Sequence, residues 1–540
     1  MKDISSTASF VDFTLENFIY VDKTEYIPKL VKLKRVFISR PRRFGKSLTL
    51  DTIATLFETG VEPYFKGTWI YDKWTEPTYP VLRLNFLDLD KYSLEHFKQK
   101  LNAIISSFAR DINVKNYEEK VEPEDTIYFL LDELRKEKRQ IVILIDEYDC
   151  QMTANINNET LYKQFQEKIK SFYATIKNKW PIKFLGITGV TRLKDVEIFS
   201  IGSDINDITN DSVYSQMIGF TRDEIKKYYI DYLKLAASYE NKCRVEEVTD
   251  TQIESMLDMM AQNYDGYCFD EFYKKKVFST WSVNKFFQSV VSNKFVYFGE
   301  YWYDNGGLPS ILVNYLKTHE LNIFEYLDKD KFLKVSSDDF KNPTALTTIN
   351  QNVLMCQTGY LTLRSDLNKT STVALGIPNG EIYKALNRLL ANNIFKGNTD
   401  ITDDYGRSLL EVGTVDDIIN LFNSALNSVS YDNYPIVSES SVQNMLKLYL
   451  LGAHQKVLSE LHEAKGRADL VVNTDNRRIV FEFKYAKNDT EAKSKLLDAV
   501  EQIKTRDYGN IVPNKTELLR IAAVFNADPK VRAFTEYQEV

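Results

Sequence analysis

The chain has little cysteine, little histidine, no long apolar run and no excess of positive charge. Its 540 residues include only 4 Cys and 4 His. Cys150, Cys243, Cys268 and Cys356 stand isolated, which excludes a disulfide framework and leaves reduced, buried thiols. His454 and His462 are the only near pair, so a zinc cluster of usual spacing is excluded. Any metal should instead be a hard ion held by carboxylates, Mg²⁺ or Mn²⁺. The longest apolar runs are strand-sized and cannot span a bilayer. The start, Met1-Lys2-Asp3-Ile4-Ser5-Ser6, lacks the apolar stretch of a secretory signal, so the expectation is a cytoplasmic protein with no membrane partner. With a net charge of −7 and a pI near 5.5, a basic coat for nucleic acid is absent. Nucleic-acid contact then requires a local basic surface and is weak and salt-dependent.

What is present is a large globular composition, 44% hydrophobic and 27% charged, sized for roughly three to four domains. The most informative segment is Val36-Phe37-Ile38-Ser39-Arg40-Pro41-Arg42-Arg43-Phe44-Gly45-Lys46-Ser47-Leu48. It reads as a short strand, a tight basic loop and a helix opening on Gly-Lys-Ser, the layout of a phosphate-binding loop. Arg43, Phe44, Gly45, Lys46, Ser47 and Leu48 are the expected nucleotide cradle. Lys46 is expected on the β- and γ-phosphates of ATP, and the Ser47 hydroxyl on Mg²⁺. Arg40 stands where the usual pattern has its first glycine, and Arg40-Pro41 imposes an extended approach to the loop.

About a hundred residues on, the unbroken apolar run Ile141-Val142-Ile143-Leu144-Ile145 ends in Asp146-Glu147-Tyr148-Asp149. A strand without polar alternation is buried on both faces of a parallel sheet. Asp146 is the expected second Mg²⁺ ligand and Glu147 the residue that orients or deprotonates the attacking water. A further strand, Ile182 to Ile187, ends in Thr188-Gly189-Val190-Thr191-Arg192. Thr188 is the candidate γ-phosphate sensor. Arg192 is read equally as a charge stabiliser or a solvated loop arginine.

At these residues the chain resembles the bacterial AAA-ATPase-like proteins that carry a C-terminal PD-(D/E)XK nuclease-like domain. Tyr20-Val21-Asp22-Lys23-Thr24, the Arg40 to Ser47 loop, Asp146 to Asp149 and Thr188 to Arg192 carry the resemblance. Tyr264-Asp265-Gly266-Tyr267 and Thr358-Gly359-Tyr360-Leu361 add to it, so that it covers nearly the whole chain. It implies that the missing first glycine is ordinary for the family.

The expected fold is α/β and multidomain. Residues 1–220 form a P-loop domain, a parallel sheet with flanking helices, whose last strand is expected at Tyr214 to Phe220. Thr221-Arg222-Asp223-Glu224 reads as a capping box that launches the next helix. Residues 221–340 form a helical lid region punctuated by Asn305-Gly306-Gly307-Leu308-Pro309. Residues 341–400 form a winged-helix-like unit, expected to serve as rigid packing because the stretch is not especially basic. Residues 401–540 form the nuclease-like α/β domain, with its boundary near the polar segment Asn398 to Gly406.

In that last domain, Gly466-Arg467-Ala468-Asp469 and Phe481-Glu482-Phe483-Lys484 flank a turn at Asn473 to Asn476. Glu482 and Lys484, two apart on a strand, share a sheet face, and a hairpin can set Asp469 beside Glu482. Asp469 and Glu482 are the expected metal ligands and Lys484 the group that orients water or offsets charge. Such a charge pair on a strand is also common on solvated faces. The arrangement matches the D-x₁₂-E-x-K pattern of the resembled superfamily. The resemblance assigns Glu460 as its helical acidic residue, with Glu463 as competitor, and places Gln502 and Tyr508 in a last motif. The resulting expectation is an ATP-binding ATPase whose nucleotide state controls a Mg²⁺-dependent nuclease acting on nucleic acid, with DNA as the expected substrate. The alternative is an ATP-dependent switch that holds a partner on a degenerate nuclease fold. A third reading is an ATPase without nucleic acid. A homo-oligomer or protein partner stays open.

Overall fold

In the computed structural model, the described residues are all but 178, 194–203, 305–309, 317–321, 344, 396–404, 454, 464–465 and 507–515. The expected punctuation at Asn305 to Pro309 and most of the Asn398 to Gly406 segment fall outside them. The chain divides into two compact units: Met1–His319 with Phe332–Ile382, and Glu320–Lys331 with Tyr383–Val540.

The first unit is built on five parallel strands: β1 (Arg35–Ser39), β2 (Val81–Asn85), β3 (Ile141–Asp146), β4 (Ile182–Gly189) and β5 (Asn206–Asp207). They lie in the order β2-β3-β4-β1-β5. β4 is therefore inserted between the loop strand and the acidic strand, with Phe37 level with Ile187 and Ile145 level with Ile187 on its other side. Helices α1 (Lys46–Thr59), α2 (Leu94–Asp111), α3 (Pro123–Lys136) and α4 (Glu159–Ile176) serve as crossovers and covers. Phe37 and Ile141 to Ile145 are buried on both faces, which is why these strands carry no polar alternation. The expected last strand at Tyr214 to Phe220 is not one. Those residues are turns apart from an isolated bridge between Phe220 and Phe278, and Asn206–Asp207 forms the sheet edge.

Thr221 and Glu224 close the expected capping box on α5 (Arg222–Tyr228). α6 (Ile230–Asn241), α7 (Asp250–Tyr264) and α8 (Thr280–Asn293) follow, sharing a core of Leu233, Met256, Leu257, Phe286 and Phe287. β6 (Leu333–Ser336) then joins α9 (Gln351–Thr358), β7 (Thr362–Leu363) and β8 (Thr372–Gly376), and α10 (Gly380–Ile394) starts in this unit and runs on as the beginning of the main segment of the second. The antiparallel sheet β6-β8-β7 makes the expected wing three-stranded. Gly359 caps α9 at φ +93°, a conformation only glycine adopts without strain.

The second unit holds α11 (Val415–Asn427), α12 (Glu439–Gly452), β9 (Lys456–Glu463), β10 (Gly466–Asn473), β11 (Arg477–Ala486), α13 (Asp489–Arg506), β12 (Glu517–Asn526) and β13 (Ala533–Glu539). Their sheet runs β13-β12-β11-β10-β9, antiparallel except for the pair β11–β12. A parallel pair needs a crossover, and α13 supplies it. Its Ala499, Val500 and Ile503 pack on Val471, Val480 and Ala522. Glu460 lies on β9, not on a helix. An eight-residue segment cannot be told from a helix by periodicity alone, and pairing along β10 decides it.

Candidate functional site

In the first unit, the loop between β1 and α1 turns twice through the left-handed region, at Arg43 (φ +68°) and Gly45 (φ +100°). Nothing lies within 4 Å of where a side chain would start at Gly45, so the concave face of the loop is open. Arg40, in the position of the absent first glycine, is 1% exposed. Its guanidinium donates to the carbonyls of Ser39 (2.8 Å) and Thr209 (2.6 Å) and lies 4.1 Å from the Phe269 ring. Burial lowers its pKa to about 9, still charged at neutral pH. Arg43 donates to Tyr301 O (3.0 Å) and Trp302 O (3.1 Å) and stacks 4.6 Å from Trp281. Phe44 packs edge-on to Tyr267 and Phe269. The side chains of Arg40, Arg43 and Phe44 thus pin the loop, leaving its backbone for a ligand.

The expected nucleotide residues converge. Lys46 is 4% exposed. Its ammonium donates to Arg40 O (3.2 Å) and Pro41 O (3.3 Å) and stands 3.5 Å from Glu147 Oε1. Ser47 Oγ donates to Asp146 Oδ2 at 2.5 Å, and Thr188 Oγ1 donates to Asp146 Oδ1. A hydroxyl and a carboxylate side by side, with the open glycine above, are a donor set suited to Mg²⁺ and phosphate. Glu147 itself is held at φ +51°, a backbone state costly for a non-glycine residue and typical of functional positions. A cavity of about 250 Å³ is lined by Gly45, Lys46, Ser47, Leu48 and Glu147 on one side and by Ile19, Tyr20 and Tyr229 on the other.

Sequence reasoning passed over Tyr148 and Asp149. Asp149 is buried and accepts from Thr191 N (2.7 Å) and Thr191 Oγ1 (2.6 Å), while Tyr148 OH donates to Thr191 O at 3.1 Å. They clamp the end of β4, so Thr188 meets Asp146. Arg192 is not brought to the loop cavity. It pairs with Asp207 on β5 and lines a different, small cavity beside Arg40.

In the second unit, the register Leu470 with Phe481 sets Asp469 level with Glu482, as the hairpin reading requires. Asp469 Oδ2 accepts from Phe483 N at 2.8 Å, and Lys484 Nζ donates to Glu482 Oε1 at 2.7 Å. Glu482 is 0% exposed, and its Oε2 has no hydrogen-bond partner. Burial, reinforced by the Asp469 charge, raises its pKa to about 7, against the opposing pull of Lys484. Burial also raises Asp469, partly offset by the Phe483 N–H. Burial pulls Lys484 down, but its bond to Glu482 and the surrounding carboxylates outweigh this and raise it.

The acidic helical residue at this site is Glu439, the first residue of α12, 3.5 Å from Lys484 Nζ. Gln443, one turn on, hydrogen-bonds Asp469. The signal in the sequence is Ser438, whose side chain caps the helix that Glu439 opens. Tyr508 lies outside the described residues. Among the described residues no three metal-ligating side chains stand close enough to hold an ion by themselves. The orphaned Glu482 oxygen and the Asp469 carboxylate nevertheless form a hard donor pair that a divalent cation fits, its remaining positions left to water and substrate oxygens.

Residues 5–199 match a family model described as "Predicted AAA-ATPase", and residues 437–535 match one described as "PD-(D/E)XK nuclease superfamily". A protein of Azotobacter chroococcum mcd 1, named "Uncharacterized protein in vnfD 5'region", is 25% identical over 532 residues, covering 95% of this chain and 94% of that one. The crystal structure of Cdc6p from Pyrobaculum aerophilum aligns with 68% of this chain and 93% of that one, at 12% identity and a TM-score of 0.22. Among the described residues no helix is long and apolar enough to cross a membrane. With the loop strand, acidic strand and inserted strand in place at one end, and the Asp469, Glu482 and Lys484 hairpin at the other, the chain joins an AAA-ATPase-like domain to a domain of the PD-(D/E)XK nuclease superfamily.

Proposed function

We propose that this protein binds and hydrolyses ATP, and that its nucleotide state controls a Mg²⁺-dependent nuclease domain acting on nucleic acid, DNA foremost. The observation that carries the reading is the fully buried Glu482, with an unpartnered oxygen, beside Asp469 and Lys484. Lys484 compensates Oε1 alone, and the buried, unpartnered Oε2 is left for a cation or proton, a cost that a fold kept as a binding shell alone has no need to retain. In the nucleotide site, Lys46 leaves Glu147 for the β- and γ-phosphates. Glu147 is then released to accept a proton from attacking water, while Ser47 and Asp146 would hold Mg²⁺, whose charge would offset that of the phosphates. In the second unit, Asp469 and Glu482 would hold the divalent ion, Mg²⁺ or Mn²⁺, whose chemistry there would be to polarise the scissile phosphate and acidify water. Lys484, fixed by Glu482 and Glu439, orients that water and offsets charge on the phosphate.

The test is incubation of the purified full chain with duplex DNA, single-stranded DNA and RNA, with Mg²⁺ or Mn²⁺, and with or without ATP. Metal-dependent cleavage that is lost in Asp469→Asn and altered by ATP is the expected result. Cleavage undiminished in that variant overturns the assignment.

A further inference from the structure

The run Phe272-Tyr273-Lys274-Lys275-Lys276 lies in the first unit, far from the phosphate loop in sequence, and neither candidate site uses it. Its shape is fixed from within. The buried Asp270 carboxylate accepts the backbone N–H groups of Phe272 (3.1 Å), Lys274 (2.9 Å) and Lys275 (3.1 Å). Lys275 is spent on Ser212 O, at 2.7 Å. Phe272, Lys274 and Lys276 point outward, with Phe272 42% exposed. The Lys274 and Lys276 ammonium groups lie over the Phe272 and Tyr273 rings, at 5.8 and 5.3 Å, with no hydrogen bond or ion pair among the described residues. The wing turn is moored to the same loop. Leu367 N donates to Glu271 O at 2.8 Å and Asn368 Nδ2 to Glu271 Oε2 at 3.2 Å, which places Lys369 alongside, 78% exposed and only loosely paired with Asp366 at 3.9 Å. Lys341 reaches Asn368 from the other side at 3.4 Å.

We propose that this loop and the wing turn form a nucleic-acid-binding surface, in which Lys274, Lys276 and Lys369 take phosphodiester groups and Phe272 takes a base face. Lysines interleaved with aromatic rings on a loop shaped by Asp270 match an anionic backbone carrying flat bases, and the turn of the three-stranded wing lies alongside it. The surface belongs to a different unit from the carboxylate site and stands whether or not that site cuts.

The experiment is fluorescence anisotropy of labelled duplex DNA, single-stranded DNA and RNA with the full chain, in EDTA so that nothing is cleaved, over a series of salt concentrations. The variant Lys274→Ala/Lys276→Ala/Lys369→Ala is expected to lose at least tenfold in affinity. It should also flatten the logarithmic salt slope by about three, near one per phosphate-contacting lysine. The corresponding triple Lys→Arg variant should retain binding, and Phe272→Ala should weaken single-strand binding about five- to hundred-fold. ATP affinity should stay at the wild-type value in all of them. The proposal is overturned if the alanine variant binds as the wild type does. It is overturned equally if the wild type binds phosphatidylserine vesicles but no nucleic acid. Binding lost in Glu482→Gln yet kept in the lysine variant would also overturn it, by placing the contact at the carboxylate site.

Discussion

Lys46 is not held out in solvent: two loop carbonyls and Glu147 surround its ammonium. Lys46→Ala should reduce ATP affinity by about 2–5 kcal/mol, the range for removing one member of a desolvated charge pair, as calorimetric titration can measure. Unchanged affinity would mean that nucleotide binds elsewhere. Arg40 makes a less intuitive case. Arg40→Gly restores the usual loop pattern, yet it strips buried hydrogen bonds from Ser39 O and Thr209 O. Each carbonyl left unsatisfied costs about 1–3 kcal/mol, so a lower melting temperature and a weaker loop are expected. A melting temperature equal to the wild type would show that Arg40 is dispensable.

At the scale of elements, β11 is the strand on which the proposed chemistry of the second unit rests, because its two-residue period puts Glu482 and Lys484 on one face. The raised pKa of Glu482, about 7, gives its titration a sign. The folded state keeps a proton that the unfolded chain releases near 4.5, so this group's contribution to stability falls as pH rises from about 4.5 to 7. Divalent-ion affinity should move oppositely, rising through pH 7 as the carboxylate ionises, and Glu482→Gln should abolish that rise while raising the metal-free melting temperature at pH 8 by a few degrees. A pH-independent affinity between 6 and 8 would sink the assignment. Lys484→Ala should spare the metal and slow cleavage, because an ammonium ligates no cation. The hairpin and its D-x₁₂-E-x-K spacing were legible because register follows from local sequence. Glu439 was not, since 43 residues separate it from Glu482 and only tertiary packing of α12 brings them together. The Arg40 tether was equally hidden, because its partners at Thr209 and Phe269 lie more than 160 residues away.

For the whole molecule, the telling variant is Glu147→Gln. It removes the Lys46 pair that competes with phosphate, so ATP should bind at least as tightly as in the wild type, while hydrolysis slows by roughly 10²–10⁴ for loss of a positioned base. If nucleotide state governs the nuclease domain, cleavage in this variant should freeze at its ATP-bound level and stop responding to ATP turnover. Cleavage that tracks the wild type under every nucleotide condition would show two independent activities on one chain. The loop's anchoring through Arg40, Arg43 and Phe44 has a kinetic consequence as well. A cradle already folded loses little chain entropy on meeting its ligand, so association should be fast and nearly insensitive to viscosity-independent conformational barriers. Loading with nucleotide should then change where one ammonium points and leave the shape of the loop as it is.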